Sequence, residues 1–116
     1  MIRNKTRKKI LAGKETYCIT PAEKAAGLML AKEPKDQGMI FTFNREGKRE
    51  LHMFFVFFPI DVLFLDKNKR VVEIKEQFMP FTMYTSKKGA QYFIELPKGT
   101  VKKTGTRTGD KIEFGN

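Results

Sequence analysis

Residues Met53–Asp66, MFFVFFPIDVLFLD, decide the reading of this chain. So apolar a stretch needs a packed interior or a partner surface. Yet Asp61 stands in its middle, directly after Pro59-Ile60. A bare ionised carboxylate in such surroundings costs too much, so it must be hydrogen-bonded, paired or protonated. Pro59 has no N–H to give a central ladder, so Phe55–Pro59 reads as an irregular crossing. Val62–Leu65 reads as a buried strand, Asp66-Lys67-Asn68-Lys69 as a tight turn, and Arg70–Phe78 as the returning strand with period-two alternation.

Working outward, the other segments are short and turn-rich. Residues 7–12 and 15–20 read as strands joined by a hairpin turn at Ala12-Gly13-Lys14, with glycine supplying a positive φ. Thr20-Pro21-Ala22-Glu23 is a capping-box start, which places one short helix near residues 21–30. Met39–Phe43 and Arg49–Phe54 are strands flanking a turn at Asn44–Gly47. Gln91–Leu96 and Lys111–Phe114 complete the strand set. Residues 100–104 form a helical turn ended by Gly105. Many short strands with little helix predict a mainly β fold, a small β-barrel or β-sandwich. At 116 residues the chain is read as a single domain, 1–116, with residues 1–14 a basic N-terminal arm or hairpin.

The net charge of +10 is unevenly placed. Residues 1–14 carry six bases and no acid, and residues 85–116 carry seven bases against three acids. The two central segments balance, so the excess lies in the termini. If these lie together, Arg3, Arg7, Lys8, Lys9, Lys102, Lys103 and Arg107 make a basic face that attracts polyanions such as RNA. A solvated, solubilising surface is the plainer reading of the same charges. Abundant lysine and a single serine, Ser86, fit a thermophilic source. Cys18 is the lone cysteine, so no internal disulfide is expected, and a reducing cytoplasm is. No stretch approaches the roughly 20 apolar residues of a membrane span.

Several groups qualify as chemistry. Asp61 could serve as a base or cation ligand at the rim of an aromatic pocket. The preferred reading is that it holds the strand entry by accepting backbone N–H bonds. Met29, Met39, Met53 and Phe55 could line an adaptable apolar pocket with Asp61 and Glu95, or simply fill the core. Met83 and Tyr84 are placed at the mouth of any such pocket. His52 is the only histidine, with no cysteine near it in sequence, so neither a metal site nor a cofactor is expected. Residues 105–110 (GTRTGD) lack the Gly-Lys-Ser/Thr end of a phosphate-binding loop and read as a plain turn.

An ordered series of residues carries a resemblance. It runs through Gly27-Leu28-Met29, Gly38-Met39-Ile40-Phe41, Met53, Pro59-Ile60-Asp61-Val62-Leu63-Phe64, Val71-Val72, Tyr92-Phe93-Ile94-Glu95-Leu96 with Gly99, and Gly109-Asp110-Lys111-Ile112. This series resembles the domain of unknown function 192 family (uncharacterised protein family 0127) over about residues 15–114. The resemblance implies a small, mostly β fold with one or two short helices, and no established activity, cofactor or catalytic residue. The absence of tryptophan and of a secretory segment is more similar to an archaeal, cytoplasmic version. The resulting expectation is a small non-catalytic binding module with an apolar pocket or interaction face for an unknown ligand or protein. RNA binding through the basic termini is the alternative. An enzyme built on Asp61 and Glu95 is the least supported reading.

Overall fold

The computed structural model describes residues 1–20, 28–29, 31–33 and 35–115. Its centre is a five-stranded sheet. The members are β3 (Lys14–Cys18), β4 (Gln37–Gly47), β6 (Ile60–Leu65), β7 (Val71–Phe78) and β9 (Ala90–Pro97), in the order β3-β4-β9-β6-β7. All pairs are antiparallel except β3 with β4. Every residue of β6 is buried, because the sheet is covered on both faces. Its even positions join one apolar cluster with Phe41, Met53, Phe58, Phe78 and Phe93. Leu63 and Leu65 join the other, with Ile2, Leu11, Ile40, Ile94 and Val101. Each such side chain fully buried is worth about 1.5–3 kcal/mol, so this one strand anchors both cores.

One cover is a three-stranded sheet in which β1 (Ile2–Asn4) lies between β2 (Lys9–Ala12) and β10 (Ile112–Glu113), together with the short helix α1 (Thr100–Thr104). The other is the segment 53–58 and a two-stranded ribbon of β5 (Glu50–His52) and β8 (Met83–Thr85). The fold is thus mainly β and layered like a sandwich, and its sheets do not close into a barrel. Residues 1–14 hold a hairpin, β1–β2. Apart from Leu28 and Met29, the helix expected at 21–30 lies outside the described residues.

The expected hairpin across Gly13 does not form. β2 pairs with β1, whereas β3 runs parallel to β4. Gly13 is needed for close approach instead: a Cβ there would sit 2.3 Å from Asp36 Oδ2, and its N–H donates to Asp36 Oδ1 at 2.8 Å. The turn expected at Asn44–Gly47 is also absent. β4 continues to Gly47, which pairs with Ala90 after a register shift. The turn at 66–69 does form, with Asp66 Oδ1 accepting the amides of Asn68 and Arg70. α1 matches the expected helical turn and ends at Gly105, φ 69°.

Gly38 lets the terminal sheet settle on β4. An added Cβ would lie 2.4 Å from Ile2 Cδ1 and 3.0 Å from Leu96 Cδ2. Gly38→Ala is therefore expected to cost about 1–3 kcal/mol by overpacking. Gly47→Ala, whose nearest neighbour would be 3.5 Å away, should stay within about 0.5 kcal/mol of the parent. Urea unfolding of both variants checks the contrast.

Candidate functional site

Asp61 is 1 % exposed, and both of its oxygens are occupied by backbone amides. Oδ1 accepts Gln77 N–H at 3.1 Å and Oδ2 accepts Val101 N–H at 2.9 Å. The Gln77 bond has a local cause. Ile60 pairs with Phe78 and Val62 with Lys75, so Glu76 and Gln77 together face Asp61 in a β-bulge. Gln77 is left-handed, φ 53°, and its amide is turned out of the ladder towards the carboxylate. Val101 is the second residue of α1, whose N-cap Gly99 offers no side chain, so Asp61 caps the helix from β6. Both oxygens thus meet backbone amides, the arrangement of the second of the two sequence readings.

Glu95 is the second buried carboxylate, and it is unlike Asp61. Strand alternation puts Glu95 on the face of Phe93 and opposite Val62 and Met39, whereas Asp61 shares the other face with Leu63. The two acids therefore point to opposite sides of the sheet and cannot work on one bound group. Among the described residues no hydrogen bond reaches the Glu95 side chain. Burial in this apolar layer pushes its carboxyl up from 4.5 to about 8.

The other pocket candidates separate. Met53 is buried and Met39 packs against the same cluster, both on the Glu95 side of the sheet. Met29 and Phe55 are exposed. Tyr84 is half-buried, donates its hydroxyl to Glu73, and holds the β5–β8 ribbon on β7; its neighbour Met83 faces outward. His52 is exposed, accepts the Phe54 amide at 3.2 Å and stacks on the Phe54 ring. Cys18 is buried in the core. Among the described residues no group of three or more His, Cys, Asp or Glu is placed to hold a metal ion. None of their helices is long and apolar enough to cross a membrane.

The exposed apolar residues are the unforeseen feature. Phe54, Phe55, Phe57, Met79, Phe81 and Met83 are each at least 43 % exposed. They lie on two loops and the first residue of β8, the loops stapled by backbone bonds, Phe81 N–H to Met53 O at 2.7 Å and Met53 N–H to Thr82 O at 2.8 Å. Phe81 meets Phe57 and Phe55 edge-on, with ring centroids 5.4 and 6.1 Å apart. Phe55 and Phe81 both have left-handed backbones, φ 58° and 59°. That region is costly for a bulky residue. The count of phenylalanines signalled such a surface; the loop geometry that turns these rings outward had no sequence signal.

β1 pairs with β10, so the two terminal segments are neighbours. Arg3 and Lys9 lie on adjacent strands, and Lys103 shares a cleft with Ile10 and Leu11. Lys8 is in the β1–β2 turn, and Lys102 is in the last turn of α1. Arg7 is not available as a free cation. Its Nε donates to Asp110 Oδ2 at 3.0 Å, an atom that also accepts Asn4 Nδ2 and the Arg107 amide. Burial alone would raise the Asp110 carboxyl, but these hydrogen bonds, with Arg7 leading, outweigh it and hold it below its usual range.

A family is now defined by sequence as well as fold. The model of the domain of unknown function 192 family, described as uncharacterised ACR, matches residues 3–114, and the chain belongs to this family. It is 36 % identical to a UPF0127 protein of Thermococcus kodakarensis, covering 98 % of this chain and 73 % of the relative. It is 34 % identical to a UPF0127 protein of Thermococcus sibiricus, covering 98 % and 74 %. A solved structure from Sinorhizobium meliloti 1021, described as a "putative transcription regulator", superposes with TM-score 0.81 at 28 % identity, over 85 % of this chain and 79 % of that one.

Two outcomes follow for the acids. Asp61→Asn replaces one acceptor by a donor facing a backbone N–H, so it should cost about 1–3 kcal/mol in urea unfolding. For Glu95 the unfolded chain loses its proton near 4.5 while the native state keeps it to about 8. The protein should therefore lose stability as pH rises between these values and level off above them. Glu95→Gln should flatten that slope and be the more stable protein above about pH 8; an unchanged slope would show that another group sets it.

Proposed function

We propose that this protein is a non-catalytic interaction module whose working surface is the aromatic and methionine face formed by residues 54–57 and 79–83. The observation that carries the reading is the pairing of Phe55 and Phe81 in left-handed conformations with their rings exposed and in contact. Glycine would occupy both positions without strain, so the phenylalanines cost stability that their own packing does not return. Rings presented on a stapled pair of loops suit an apolar protein surface, which they can cover with little loss of conformational freedom. The opposite orientation of Asp61 and Glu95 supports a binding role over a paired acid–base reaction.

The test is a Phe55→Gly/Phe81→Gly variant. Its unfolding free energy should equal or exceed that of the parent, within about 1 kcal/mol. Its binding of a hydrophobic dye such as anilinonaphthalene sulfonate, and any concentration-dependent association seen in sedimentation, should fall sharply. A clear loss of stability with unchanged dye binding and association would show instead that the rings only close the fold.

A second reading, nucleic-acid contact through the terminal sheet, is favoured by one observation: β1, which carries Arg3, pairs with both β2 and β10, so the basic N-terminal segment lies beside the C-terminal one. The regulatory role in the description of the Sinorhizobium structure agrees with it. Arg3, Lys8, Lys9, Lys102, Lys103 and Arg107 would then contact phosphates, with Arg7 positioned by Asp110. Binding to generic RNA or DNA should weaken steeply with salt, and no binding even at low salt disposes of the reading.

A further inference from the structure

A cleft of about 620 Å³ opens where the terminal sheet meets the β6–β7 turn. Its lining includes Arg3, Lys69, Lys111, Glu113 and Phe114. Three cations thus converge from three separate elements on one space, against a single carboxylate. Glu113 lies opposite Arg3 on the paired strand, yet no ion pair joins it to any of the three among the described residues.

The two lysines are held rather than trailing. Lys69 sits in the tight turn with a left-handed backbone, φ 63°, a conformation unfavourable for lysine. Its N–H donates to Asp66 O at 3.0 Å and its carbonyl accepts Ile112 N–H at 2.9 Å, which locks the turn to β10. Its ammonium lies 4.0 Å from the centre of the Phe114 ring and 3.4 Å from the Phe114 carbonyl. Lys111 crosses the same gap to donate to the Asn68 carbonyl. Both ammonium groups keep further donors, since each carries three. Arg3 makes no hydrogen bond through its guanidinium among the described residues, and its fork suits paired phosphate oxygens.

We propose that this cleft binds the phosphate groups of a phosphorylated ligand, with Arg3, Lys69 and Lys111 as the contacting cations. Its volume is in the range of small-molecule sites, room for a nucleotide rather than a single ion. The same chemistry fits a free phosphorylated molecule or one stretch of a nucleic-acid strand. The proposal does not rest on the aromatic face, and Lys69 and Lys111 lie outside the basic set of the second reading.

The test follows backbone amide resonances of the labelled full chain at low salt during titration with pyrophosphate, with ADP, and with a short single-stranded RNA. Saturable shifts centred on residues 69, 111 and 113–115 are expected. Arg3→Gln/Lys111→Gln should weaken binding by about tenfold or more, and Lys102→Gln/Lys103→Gln by less than about twofold. Arg3→Gln alone, at an exposed position, serves if the double variant unfolds. Saturation by pyrophosphate or ADP assigns the site to a free phosphorylated molecule; saturation by RNA alone assigns it to a strand. No saturable shift with any probe, or equal weakening by the two double variants, overturns the proposal in favour of diffuse charge.

Discussion

The Asp61 carboxylate ties together three elements, two neighbouring strands and the short helix packed on them. It belongs to β6, yet it accepts one amide from the bulge of β7 and one from the start of α1. Without the first bond the bulge at Gln77 would leave a backbone donor unpaired. Without the second, a five-residue helix with no side-chain cap would keep one more orphan amide. A single side chain therefore satisfies two local irregularities of the backbone. The apolar run around it supplies the burial, and Asp61 supplies the register between the central sheet and its cover.

The candidate surfaces lie where the chain leaves that frame. The aromatic face is built from the crossing before β6 and the loop after β7. The phosphate cleft is built from the turn between those two strands and from the terminal sheet. Both are scaffolded by the most buried part of the molecule, and both include residues in left-handed conformations that their side chains do not favour. The rigid sheet holds positions that an isolated loop would relax away.

Much of this was legible in the residues. β6, β7, β9 and the turn at 66–69 follow from hydrophobic runs, period-two alternation and turn chemistry, all local signals. The cost of a buried charge called for Asp61 to be hydrogen-bonded, paired or protonated, and backbone bonding was the preferred of its readings. The signal failed where pairing was non-local. Gly13 between two short strands looks like a hairpin, but its role is to let Asp36 approach. Asn44-Arg45-Glu46-Gly47 has the composition of a turn, and long-range pairing with β9 extends the strand through it. β1 and β8 are three residues each, too short for any periodicity to register. The split of Asp61 and Glu95 between two faces depended on strand parity and pairing together, and the pairing was beyond the sequence.

Arg3 lies opposite Glu113, so the first and last strands are neighbours while almost the whole chain separates them. Such a contact carries nearly the largest loop-closure entropy the molecule can incur. The cover over one face of the central sheet therefore cannot be completed during synthesis until the final strand has emerged. Until then Leu63, Leu65, Ile94 and Leu96 lack the part of their cover that Ile112 and Phe114 supply. β1 and β10 are only three and two residues long, so this closure rests on the burial of Ile2 and Ile112 rather than on a long ladder.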